Sequence, residues 1–215
     1  MASTTAGNVR ELFLTTARVV RSAIGDDLVA QAWDRPSILE DQRVGGIAGH
    51  LARGGVWVVD DYLNAEIPDA PRLRSAAVYF ARSAEFLNAD DHRLIRERGA
   101  RVAAQGHRDV CAALDARLAA LTDRLLDEPA DRIVGAAGGV AVMTLNSYLE
   151  TRIVEQIVHL DDLARSVQRD PWTVPDAALS LVMHIGVDIA RLRHGATATL
   201  RLLYRSRLDP VLPVL

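Results

Sequence analysis

A carboxylate, an imidazole and a second carboxylate fall at helical spacing in Glu155-Gln156-Ile157-Val158-His159-Leu160-Asp161-Asp162. Residues three and four apart share one face of a helix. Glu155, His159 and Asp162 therefore line up, among apolar Ile153, Val154, Ile157, Val158 and Leu160. Glu155 and His159 can both reach one cation. A second imidazole, His50, stands in Gly49-His50-Leu51. Carried on a facing helix, it would complete a set of two His and one carboxylate around a zinc-like divalent ion, leaving a coordination position open for chemistry. Asp162 would orient the remaining nitrogen of His159, or sit as a surface carboxylate at a helix end. Arg152 and Tyr148 lie one and two turns before Glu155 on roughly the same face. Arg152 would clamp a carboxylate of a bound molecule, or form a surface salt bridge. Read alone, Glu-x-x-x-His is also a common solvent-side pair, and a single histidine such as His50 is commonly a satisfied core or surface residue.

Other groupings promise less. His107 and Cys111 have ligand spacing, but Cys111 is the single cysteine and has no sulfur partner; a buried inert thiol beside a surface histidine accounts for it. His184 and Asp188 read as an ordinary helix pair that could line a pocket mouth. The 25 cationic residues are all Arg. Lysine Schiff bases and a P-loop lysine are thereby excluded. No Gly-x-Ser-x-Gly or Gly-x-Gly-x-x-Gly occurs, and Gly135 to Gly139 lacks the strand-then-helix setting of a phosphate loop.

The elements that must position these residues are helical. Val9, Phe13, Ala17, Val20 and Ile24 recur at three- and four-residue steps, ending near Gly25, as one buried stripe does. After a loop at Trp33-Asp34-Arg35-Pro36-Ser37, a second helix is expected over 44–63, with Ile47, Leu51, Val58 and Tyr62 inward. Gly45, Gly46 and Gly49 in its early turns admit another backbone or a ligand, or serve tight helix packing. A shorter helix is expected over 72–88. A long helix over 91–126 would place Leu94, Val102, Val110, Leu114, Leu118, Leu121 and Leu125 in the core, with Pro129 ending it. Residues 133–149 carry no charge and hold several glycines. They read as a buried loop entering a helix over 144–167, rather than as a membrane span. Asp176 would cap a last helix over 176–204. No strand run and no repeat is evident. The expectation is an all-α protein: a four-helix bundle over 1–170, with a C-terminal helix and tail over 171–215 packed on it as one domain.

Composition narrows the function. With 215 residues, 49% hydrophobic and 25% charged, and a net charge of -3, the chain can build a full core and is not a basic nucleic-acid binder. No short helix pair presents Arg to base edges, which sets a helix-turn-helix regulator aside. The lone cysteine and the absence of an apolar leader suggest a reducing cytoplasm, with no membrane partner. The excess of Ala, Arg, Asp and Val suggests a GC-rich bacterial genome.

Two motifs together resemble the DinB/YfiT-like superfamily, and more closely the N-terminal domain family of mycothiol-dependent maleylpyruvate isomerase. The first is Trp33-Asp34-Arg35-Pro36-Ser37 followed by Val44 and Ile47-Ala48-Gly49-His50-Leu51. The second is Glu155-Gln156-Ile157-Val158-His159-Leu160-Asp161-Asp162-Leu163-Ala164, and a weaker likeness covers Arg193-His194-Gly195. The resemblance implies a DinB-like four-helix bundle holding a divalent metal, usually Zn2+, through His50, Glu155 and His159. It also implies mycothiol, the thiol of actinobacteria, as co-substrate. On that footing a metal-bound thiolate attacks a small electrophile, as an isomerase or a thiol S-transferase, with Asp162 and Arg152 assisting. A hydrolase in which the ion activates water, and a non-catalytic bundle that binds a ligand or partner, are the alternatives. The last helix could pack on its own bundle or pair two copies as a homodimer.

Overall fold

In the computed structural model, which describes residues 6–86, 88–129 and 131–205, the stripe Val9, Phe13, Ala17, Val20 and Ile24 is buried along α1 (Ala6–Ile24). A fully buried large apolar side chain contributes about 1.5–3 kcal/mol, so this stripe commits α1 to the bundle centre, against α8 (His107–Asp127) and α9 (Leu145–Ser166). A short α2 (Asp27–Ala32), capped by the Asp26 side chain, leads into the Trp33 loop. The next bundle helix is α3 (Val44–Ala52), which continues through a π turn (Arg53–Trp57) into α4 (Val58–Asn64). Helices α1, α3–α4, α8 and α9 pack together as the bundle, and the all-α expectation holds.

The remaining helices are layered on this core. They are α5 (Ala76–Ala81), α6 (Ser83–Phe86), α7 (Ala89–Ala103), α10 (Asp176–His194) and α11 (Ala196–Tyr204). α7 crosses α3, while α10 packs on α5, α9 and α1. No helix of the described residues is long and apolar enough to cross a membrane.

Several local expectations need correction. The helix over 91–126 is two helices: Gly106, at φ 94°, takes a left-handed conformation that glycine adopts without strain, and the chain turns there. Leu94, expected in the core, is exposed. The last helix breaks in the same way at Gly195, φ 83°, and α10 starts after Pro175 with no capping side chain. The uncharged segment contains strands. β1 (Ile133–Ala136) pairs antiparallel with β2 (Ala141–Thr144), matching Ile133 to Thr144 and Ala136 to Ala141, across a turn in which Ala137, Gly138 and Gly139 have positive φ. Successive residues Val134 to Ala136 and Ala141 to Met143 are all buried. A strand covered on both faces shows no alternation, which is why the hairpin has no periodic signal.

Candidate metal centre

The Trp33 loop builds the start of α3. The first backbone N–H groups of a helix lack intrahelical partners. Here Val44 N donates to the Arg35 carbonyl at 3.0 Å and Gly45 N to the Trp33 carbonyl at 2.8 Å. A Cβ at Gly45 would lie 2.8 Å from the Trp33 indole, whose Nε1 donates to the Ala103 carbonyl at 3.2 Å. Further along, a Cβ at Gly49 would overlap the Gly99 carbonyl of α7. What the α3 glycines admit is therefore another backbone and an indole, and the helix that carries His50 is fixed by that contact. A Cβ at Gly54 would sit 3.1 Å from His50 Cε1, so this glycine leaves room for the imidazole.

The π turn then ties α3 to α9. Gly54 O accepts from Arg152 Nη1 and Gly55 O from Gln156 Nε2, each at 2.9 Å. These two donors flank Glu155 in sequence, and their bonds set its height opposite His50. π turns recur at functional sites because they re-aim side chains and free carbonyls.

The result is convergence. His50 Nε2 lies 3.2 Å from Glu155 Oε2, and His159 Nε2 lies 3.6 Å from the same oxygen. The two imidazole centroids are 4.7 Å apart at 85°. Three ligand atoms, one from each residue, fall within 4.8 Å of one another. Tetrahedral zinc with bonds of about 2.0–2.1 Å spaces its ligand atoms about 3.3 Å apart, and the two His–Glu separations bracket that value. Side-chain exposures of 17, 22 and 23% for His50, Glu155 and His159 leave the cluster accessible to a small molecule. The residues present fit a divalent ion in number, type and spacing. Among the described residues this is the one group of His, Cys and acidic side chains so arranged.

Asp162 Oδ2 lies 2.9 Å from His159 Nδ1, an orienting contact rather than a solvated helix end. With Nδ1 donating to Asp162, Nε2 is the nitrogen left facing Glu155. Without an ion the site is strongly polarised. Burial opposes ionisation of Glu155, yet hydrogen bonds from His159 and His50 and the charge of Arg152 hold its carboxyl well below the usual range. Burial also disfavours charge on His159, but Asp162 and Glu155 outweigh it and push the imidazole up to about 9.

Arg152 departs from the surface-salt-bridge expectation: it is 7% exposed. Its Nε donates to Thr151 Oγ1 at 3.0 Å, and its guanidinium lies 5.0 Å from the centroid of the buried Tyr148 ring. No carboxylate lies within ion-pair distance of it among the described residues, although it feels the charge of Glu155. Tyr79 of α5 also borders this group: burial raises its phenol and Arg152 opposes the rise. Tyr79 lies far from both motifs in sequence and carries no signal there.

The lesser candidates stay apart from the cluster. His107 Nε2 is 2.8 Å from the Ile24 carbonyl and 3.8 Å from the buried Cys111 sulfur, a packing arrangement. His184 is exposed beside the Ser180 carbonyl, and Asp188 pairs with Arg191 at 3.1 Å.

A family model described as mycothiol maleylpyruvate isomerase N-terminal domain matches residues 15–164, a span that contains His50, Glu155, His159 and Asp162. No curated protein and no solved structure matches the chain significantly.

Proposed function

Since the chain belongs to the mycothiol maleylpyruvate isomerase N-terminal domain family, we propose that it is a metal-dependent enzyme that uses mycothiol, or a similar small thiol, against a small electrophile in an actinobacterial cytoplasm. A divalent cation held by His50, Glu155 and His159, zinc being the simplest choice, would favour the thiolate over the thiol at neutral pH and so supply the nucleophile. With an ion bound, His50 and His159 would each offer an Nε2 lone pair and Glu155 a negative charge. Asp162 keeps the proton of His159 on Nδ1 and so holds Nε2 toward the ion. Once the charge of Glu155 is engaged by a cation, Arg152 is a buried cation lacking a counter-charge, a costly state that an anionic group on thiol or substrate relieves. Sulfur would add to one carbon of a conjugated cis double bond with the electron pair moving onto the conjugated group, the resulting single bond would rotate, and return of that pair would expel the thiolate and leave the trans product. Retention of the adduct would make the reaction an S-transfer.

The observation that carries this reading is the meeting of two imidazoles and one carboxylate at tetrahedral spacing inside the matched segment. Purified protein should contain about one equivalent of divalent metal, and His50→Ala should remove it. The metal-loaded protein should consume an activated cis-alkene only when mycothiol is added. Turnover without thiol would assign the nucleophile to water instead. Bound metal with no turnover under either condition would leave a ligand-binding bundle.

A further inference from the structure

Of the α7 arginines, Arg93 alone is ion-paired among the described residues. Arg93 meets Glu97 at 2.7 Å and Asp90 at 3.4 Å. Arg98 and Arg101 differ: neither has an ion-pair or hydrogen-bond partner among the described residues. They are three apart on one helix, hence neighbours on its surface. Arg53 of the π turn joins them, loosely held by Asp61 at 3.7 Å. With buried Val102 and with Gln105, these three arginines line a cleft of about 260 Å³ that has no acidic residue in its wall.

We propose that this cleft binds a phosphoryl oxyanion of pyrophosphate size, pyrophosphate itself or a small phosphomonoester. Three arginines border the cleft from two elements. A carboxylate, with two oxygens and one charge, is satisfied by a single bidentate arginine. A phosphate group carries about -1.5 to -2 charges and three acceptor oxygens, and can engage forks from several directions. The cleft, about 260 Å³, is open to solvent and leaves room for a small anion to enter. Gln105 and the buried Val102 complete the lining. None of the five lining residues is His50, Glu155 or His159, so the proposal stands independently of the reaction assigned to that cluster.

Calorimetric titration of the full chain with pyrophosphate at low ionic strength tests it. One equivalent should bind, with affinity falling as salt rises. The double variant Arg98→Gln, Arg101→Gln changes exposed side chains only and should bind at least tenfold more weakly. Arg93→Gln, whose charge is already paired, should bind as the parent does. Malonate, a dicarboxylate, should bind at least tenfold more weakly than pyrophosphate. Unchanged pyrophosphate affinity in the double variant would put the anion elsewhere, for instance on a bound cation, and overturn the site. Absence of binding at millimolar pyrophosphate, or malonate binding equally well, would overturn it too.

Discussion

The two ends of the bundle treat charge in opposite ways. Where α4, α8 and the hairpin meet, one set of charges is knitted into a network. Asp60 accepts from Arg117 at 2.9 Å and Arg124 at 3.1 Å, and Arg124 also meets Glu128 at 3.2 Å. Arg124 and Arg132 both donate to the Leu63 carbonyl at the end of α4. Arg10 donates to the carbonyls of Leu125, Glu128 and Pro129, at and beyond the last turn of α8, where a helix offers unpaired oxygens and partial negative charge. At the cluster end, two imidazoles crowd one carboxylate and a buried guanidinium has no carboxylate within ion-pair reach. The first arrangement is held by its own ion pairs and carbonyl contacts. On the proposed function a cation and an anion would complete the second, and that difference separates a brace from a site.

The comparison breaks most decisively at Glu155. Glu155→Ala should take metal content from about one equivalent to none and lower thiol-dependent turnover by on the order of 10³-fold, the several kcal/mol that a metal ion supplies. Helical content by circular dichroism should persist, because the π-turn bonds belong to Arg152 and Gln156. Metal retained in that variant would move the site elsewhere.

Proton linkage sharpens the contrast next. In the metal-free chain the His159 imidazole is raised from 6.5 to about 9. A raised pKa stabilises the fold fully below about pH 6.5, and that contribution is lost as pH climbs through about 9. At about 1.4 kcal/mol per pH unit the loss is at most about 3.5 kcal/mol. Glu155 works at the acid side: its lowered pKa stabilises above the ordinary carboxylate range and is lost as pH falls. Chemical denaturation of chelated protein should therefore show stability declining between pH 6.5 and 9. In metal-loaded protein the decline should vanish or reverse, since the ion replaces the proton on His159.

How much of this was legible in the sequence follows from the range of the forces involved. Glu155, His159 and Asp162 share one helix, so spacing alone sets them on one face. Their approach to His50 depends on the α3–α9 contact, which spacing cannot supply; the resemblance of both motifs to one family suggested it. The Trp33 loop was visible as a motif, but its work of completing the first turn of α3 depends on backbone hydrogen bonds that no side-chain pattern encodes. The buried state of Arg152 was hidden for a related reason: its partner is the Gly54 carbonyl, freed by a π turn. Arg10 looked like any basic residue of an amphipathic helix, because its acceptors are carbonyls more than a hundred residues away. The hairpin was silent because both its faces are covered.

A smaller effect is expected at Asp162, which contacts the cluster through His159 alone. Asp162→Asn retains the shape but not the charge that holds the Nδ1 proton. Loss of such an orienting partner typically weakens metal binding by about 10–100-fold. Competition against a chelator should read that shift, with the fold unaltered and one equivalent still bound at saturating metal. Loss of all binding would make Asp162 a ligand itself, whereas no change would leave the 2.9 Å contact without a functional role.

The smallest effect is expected at the brace, where Asp60→Ala removes the shared acceptor of Arg117 and Arg124. Exposures of 41% for Arg117 and 30% for Arg124 mean that water takes over part of the solvation. Arg124 also retains Asn64 at 2.7 Å, Leu63 and Glu128. The cost should be about 1–2 kcal/mol, above an isolated surface pair because one carboxylate serves two guanidiniums. For a chain of this length that corresponds to a Tm lower by roughly 3–6 °C. A double-mutant cycle with Arg117→Ala should return a coupling of about 0.5–1 kcal/mol. Metal content and thiol-dependent turnover should be those of the parent, because Asp60 reaches α8 and not the His50 face. If Asp60→Ala instead emptied the metal site, the two ends would form one electrostatic unit and the division between brace and site would fail.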